Sequence, residues 1–127
     1  MNATQFFIQQ QLAKAESNAS SALSQLRTAK TIEQIVRASH VDIPGTVRAL
    51  KHMVHSLKAV ERLAEERIES LIDEQVKAIH AAATPEEAEA LANSFMRRQV
   101  PALRGRFSRQ YQYAERALRQ ALAARST

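Results

Sequence analysis

The sequence predicts an all-α protein, a single helical domain over 1–127 folded as an elongated up-down-up three-helix bundle. Three observations carry that expectation. Only two glycines and three prolines occur in 127 residues, whereas a sheet protein needs turn residues about every 8–12 positions. Alanine, the strongest helix former, is the commonest residue, with 23 copies. Strong punctuation falls at two places, Asp42-Ile43-Pro44-Gly45-Thr46 and Thr84-Pro85-Glu86-Glu87. The three segments so defined are joined by short links, which favour antiparallel neighbours.

The first helix is expected over 3–41. Phe6, Phe7, Ile8 and Leu12 are followed by small residues, Ala15, Ala19 and Ala22, and then by Leu23 and Leu26. Ser17, Asn18, Ser20 and Ser21 lower its intrinsic helicity. Residues 27–31 are a weak spot where the helix can break before Ile32, Ile35 and Val36 resume the stripe. The second helix is expected over 46–83, capped by Asp42 or Thr46. Its apolar positions, from Val47, Leu50 and Val54 to Val76 and Ile79, recur in steps of three and four. At 1.5 Å per residue such a helix runs roughly 55 Å. The third is expected over 85–125, with Thr84 as N-cap, Pro85 at the first helical position and Glu87 closing a capping box. Pro101 should kink it or restart it near Gln99. Three thin stripes make a narrow core, so part of the apolar surface should be completed by a protein partner or a second copy.

The absence of cysteine rules out disulfide scaffolds, thiolate metal sites and cysteine nucleophiles. No apolar run approaches the roughly 18 residues needed to cross a bilayer, and Met1–Gln10 lacks the pattern of a signal peptide. The sequence therefore predicts a cytoplasmic protein, with a membrane partner disfavoured.

Charge is distributed unevenly. Residues 1–96 carry ten Lys/Arg against twelve Asp/Glu, and residues 97–127 carry eight arginines against Glu115 alone. If the second and third helices are antiparallel about the Ala83–Pro85 turn, facing positions sum to about 168. Glu61, Glu65, Glu66, Glu69, Asp73 and Glu74 then lie level with Arg97, Arg98, Arg104 and Arg106, and interhelical ion pairs are expected. Arg109, Arg116, Arg119 and Arg125 fall beside Arg48, Lys51 and Lys58. The outcome is a rod with one cationic pole, suited to nucleic acid, anionic lipid or an acidic protein face. A third helix parallel to the second would abolish that pole.

Candidate sites follow from this arrangement. Arg48, Lys51, Arg109, Arg116, Arg119 and Arg125 are the candidate anion-binding set. The stretch Arg104 to Tyr113 interleaves arginines with Phe107, Tyr111 and Tyr113, a pattern suited to phosphates and stacked bases, although helical spacing places Phe107 in the core. Residues 31–50 resemble a helix-turn-helix, with Arg48, Lys51 and His52 facing a groove. The resemblance is confined to Thr46-Val47-Arg48-Ala49-Leu50, since His40 stands where glycine makes the turn. His52 and His55 share a helix face without a carboxylate three or four residues away, so no metal site is expected. Glu61, Glu65, Glu69 and Asp73, interspersed with Lys58, Arg62, Arg67 and Lys77, describe a solvated face rather than a catalytic pair. With no phosphate-cradling loop and no catalytic constellation, no cofactor is implied and a non-enzymatic role is expected. Phe6, Phe7 and Ile8 either close one end of the bundle or dock into a partner. The expectation is an interaction or assembly protein. The alternatives are sequence-independent nucleic-acid binding and the helix-turn-helix.

Overall fold

The computed structural model describes residues 2–126, the side chain of Ser126 excepted. The described residues are helical and contain no strand. Six α-helices follow one another: α1 (Ala3–Thr28), α2 (Ile32–Ala38), α3 (Gly45–Arg48), α4 (Lys51–Ala81), α5 (Pro85–Arg98) and α6 (Ser108–Ser126), with a 3-10 turn at Val100–Leu103 between the last two.

Side chains fix the starts of three helices. At α1 the Asn2 side chain accepts from the Gln5 amide (2.8 Å), while the Gln5 side chain accepts from the Asn2 amide. Thr31 caps α2 through the Gln34 amide. Thr84 caps α5 through the Glu87 amide, Pro85 occupies its first turn, and the Glu87 carboxylate takes the Ala83 amide. The break expected at 27–31 is present, since Ala29 is extended.

Two boundaries differ from the sequence reading. The middle helix starts at Lys51, because Gly45–Arg48 forms one isolated turn and Leu50 is extended at ψ 135. The third segment does more than kink. Pro101 lies within the 3-10 turn, Arg104 is extended, and Gly105 adopts φ 88, a left-handed conformation that costs glycine little. Together they reverse the chain.

That reversal sets the topology. Gln75 on α4 reaches Leu91 on α5, so these two are antiparallel as expected. Beyond the turn, Gln110 pairs with Glu69, Tyr113 with Asp73 and Arg125 with Ala82. The positions rise together, so α6 runs parallel to α4. The same holds on the other side, where Glu16 meets His52 and Leu26 meets Arg67. In place of a single up-down-up bundle, α4 is a spine about 46 Å long that serves two three-layered units. One is built with α1 and the returning α2–α3 segment, the other with α5 and α6. Among the described residues α1 touches neither α5 nor α6. The units meet where the Gln99 side chain accepts from the Ile32 amide and Arg106 donates to Ser39.

One core runs along the spine, from Leu26, Ile32 and Ile35 through Ile68 and Ile72 to Leu103, Phe107 and Leu118. Ala19 and Ala22 on α1, Ala64 on α4, Ala88 and Ala92 on α5 and Ala114 and Ala121 on α6 are buried in it. Such small residues let helix axes approach closely. A smaller cluster of Ala15, Ile43, Val47 and Met53 closes the end where α4 begins.

Three helix ends are completed by arginines from distant segments. Arg67 donates to the carbonyl of Leu26 in the last turn of α1 and to that of Ala29 just beyond it. Arg106 donates to the Ser39 carbonyl at the end of α2 (3.2 Å), and Arg125 to the Ala82 carbonyl at the end of α4 (2.7 Å). A guanidinium there satisfies orphan carbonyls and complements the negative end of the helix.

Candidate interaction surface

The α1 helix outreaches the body. Ala15 is buried, and Glu16 lies 3.0 Å from His52 in the first turn of α4. Residues N-terminal to Leu12 therefore project past the start of the spine, and residues 2–10 are all exposed. Phe6, Phe7 and Ile8 keep 55%, 49% and 37% of their surface in solvent. They do not close the bundle, because the end they would close is already filled by Val47, Met53 and half-buried Leu12. Leu50, 39% exposed, sits at the same end at the α3–α4 corner. Large apolar side chains left exposed together at one end of a molecule mark a candidate interaction site.

The projecting segment has a defined inner face. Ala15, Ala19, Ala22 and Leu26 form the buried stripe of α1. At 100° per residue, Ile8 and Leu12 continue that stripe, Phe7 stands a quarter-turn away, and Phe6 lies on the far side. The face that packs on α4 thus extends past the point where α4 begins.

The candidate anion-binding set is not brought together. Because α6 is parallel to α4, Arg109, Arg116, Arg119 and Arg125 lie along the C-terminal half of the spine, while Arg48 and Lys51 stand at its start. The expected cationic pole is absent for that reason. Residues 1–60 carry seven Lys/Arg against three Asp/Glu, and residues 61–127 carry eleven against ten. Arg125 is half-buried and caps α4. Arg119 pairs with Glu115 at 3.2 Å. Arg109, Arg116 and Arg119 are exposed and share one face of α6, three cations within eleven residues.

The interhelical ion pairs expected for Arg104 and Arg106 are replaced by other contacts. Arg104 donates to the Tyr111 hydroxyl and lies 5.5 Å from its ring. Arg106 packs 5.0 Å from the Phe107 ring and holds Ser39. Phe107 is buried and Tyr111 and Tyr113 half-buried, so the aromatic members of the basic–aromatic stretch are taken up in packing.

The segment 31–50, the alternative helix-turn-helix, folds as α2, a connecting loop and α3. Its second helix is the four-residue α3, with Val47 buried and Ala49 ending it. A single turn is too short to lie along a major groove. His52 finds a carboxylate after all, Glu16 from α1, a pairing with no signature in local spacing. Among the described residues no three metal-ligating side chains cluster. A cleft of about 480 Å³ lies between the 39–43 loop and α4, where Arg48 and Arg106 face Asp42 and Glu61; two charges of each sign give it no net preference for anions. No described helix is long and apolar enough to cross a membrane. No family model matches this chain, nor does any curated protein or solved structure.

Proposed function

We propose that this protein is a non-enzymatic helical interaction or assembly protein that engages its partner through the projecting end of α1. The observation that carries this reading is the exposure of Phe6, Phe7 and Ile8 on a helix that continues, unpartnered, past the body it belongs to. Ordered apolar side chains held out in this way gain by removal from water, at about 25 cal/mol per Å² of apolar surface.

Site-specific photo-crosslinking in the cells that make the protein tests the reading. A benzophenone side chain at position 7 should give a covalent adduct of discrete mass, and the same probe at exposed Asn93 should not. Failure of positions 6, 7 and 8 alike to form adducts would overturn it.

Sequence-independent nucleic-acid binding is a second reading, supported by the row of Arg109, Arg116 and Arg119 on α6. It needs no pole, only a face that follows a phosphate backbone.

A further inference from the structure

We propose that the partner of the projecting α1 segment is a second copy of this chain, the two segments pairing antiparallel about a two-fold axis between Phe7 and Ile8. The inference rests on the interaction reading above and names its occupant.

Continuity of the α1–α4 contact supplies the first argument. The helix face buried against α4 from Ala15 to Leu26 continues through half-buried Leu12 to uncovered Ile8, and α4 ends its cover at Leu50 and Lys51. A helix lying coaxially beyond the start of α4 would meet the stripe where cover is lacking, and Leu50 would lie under its end. Length supplies the second. With the axis between residues 7 and 8, paired positions sum to 15. Ala3, the first residue of α1, then comes level with half-buried Leu12 of the other copy, where the body begins, so the two exposed helical segments are matched in length. Thr4 stands opposite Gln11, and Phe7 opposite Ile8.

Charge favours a protein over a lipid surface. The first ionisable side chain of the chain is Lys14, so antiparallel pairing of residues 3–12 meets no like-charge repulsion. Asn2, Gln5, Gln9, Gln10 and Gln11 ring the segment. Their amides can hydrogen-bond across a protein interface, whereas in acyl chains each would be left unsatisfied. Isologous pairing is also the commonest form of self-association. A helix pair this short buries on the order of 800 Å², below the 1,200–2,000 Å² of stable complexes. The dimer is accordingly weak and concentration-dependent.

Sedimentation equilibrium over 5–500 µM tests the proposal. The mass should rise above 14.2 kDa as concentration increases. Ile8→Glu should weaken the association at least tenfold, while Asn93→Glu, at an exposed position of α5, should leave it unchanged; both variants should keep full helical circular dichroism. A chain that stays monomeric throughout overturns the proposal, as does equal loss in the two variants. Because the protein has no cysteine, direction can be read separately. Thr4→Cys and Gln11→Cys chains, mixed in a glutathione redox buffer, should give mainly the mixed disulfide, two thiols being oxidised as one oxidised glutathione is reduced. Same-variant disulfides in excess would overturn the antiparallel arrangement. A monomeric chain that nevertheless crosslinks through position 7 to a different protein would remove this inference and leave the broader reading standing.

Discussion

The hydroxyl of Tyr113 donates to Asp73 across the α4–α6 contact. That hydrogen bond, then partial burial and the charges of Asp73 and Glu69, raise the Tyr113 pKa above its ordinary value of 10.0, with Arg116 acting in the opposite sense. A group whose folded pKa is raised stabilises the fold fully below its unfolded pKa, and the contribution fades as pH climbs through the folded one. Tyr113→Phe should therefore cost up to about 1 kcal/mol near neutrality and progressively less above pH 10.0. Urea denaturation of the two proteins at pH 7 and in alkaline buffer measures both halves of the statement. Arginines carry the other informative contacts at this scale. Arg67, Arg106 and Arg125 reach helix ends 38 to 67 residues away. Their abundance was plain in the sequence. Their task was not, because an arginine aimed at a backbone carbonyl leaves no acidic partner to find.

Helix starts were legible where a side chain both caps and punctuates, as at Thr84-Pro85, and the apolar stripe of α4 was legible because steps of three and four leave little choice. The chain reversal after α5 was not. Pro101 announced an interruption, but a lone proline is equally compatible with a kink, and the turn depends on Gly105, four residues on and without a proline or a second glycine beside it. Its Cβ position meets nothing within 4 Å, so the cost of a side chain there is conformational alone. Gly105→Ala should destabilise the protein by about 1–2 kcal/mol without opening a cavity, lowering the urea midpoint at an unchanged denaturant slope. A changed slope would instead mean that α6 no longer docks on α4.

At the scale of the whole molecule, reversing α6 redistributes charge. The antiparallel arrangement would have gathered ten cations at one end; the observed one spreads the α6 arginines along the C-terminal half of the spine. What remains is a modestly basic N-terminal unit and a nearly balanced C-terminal one. Any oligonucleotide bound along α6 would therefore meet about three phosphates. Fluorescence anisotropy across a salt series should give a log–log slope of about −2.7, at about −0.9 per phosphate on duplex DNA, and charge reversal at Arg109 and Arg116 should flatten it for every sequence alike. Traces that stay flat at low salt would remove the nucleic-acid reading. The candidate surface itself was half legible, since Phe6, Phe7 and Ile8 stood out in the sequence. Whether they cover the end of the body or project from it depended on how far the α2–α3 segment returns, which tertiary packing decides.

Sharing α4 between two units has a kinetic consequence. Neither unit needs the other to begin forming, since the long-range contacts of each fall on its own half of the spine, at sequence separations of 36 to 43 residues. Folding should therefore be able to start from either flank, with α1 on α4 or with the α5–α6 hairpin, and stopped-flow refolding of core variants in each flank checks this. A defect in either flank should divert the flow to the other, whereas a defect in the middle of α4, around Ala64 and Ile68, should slow both.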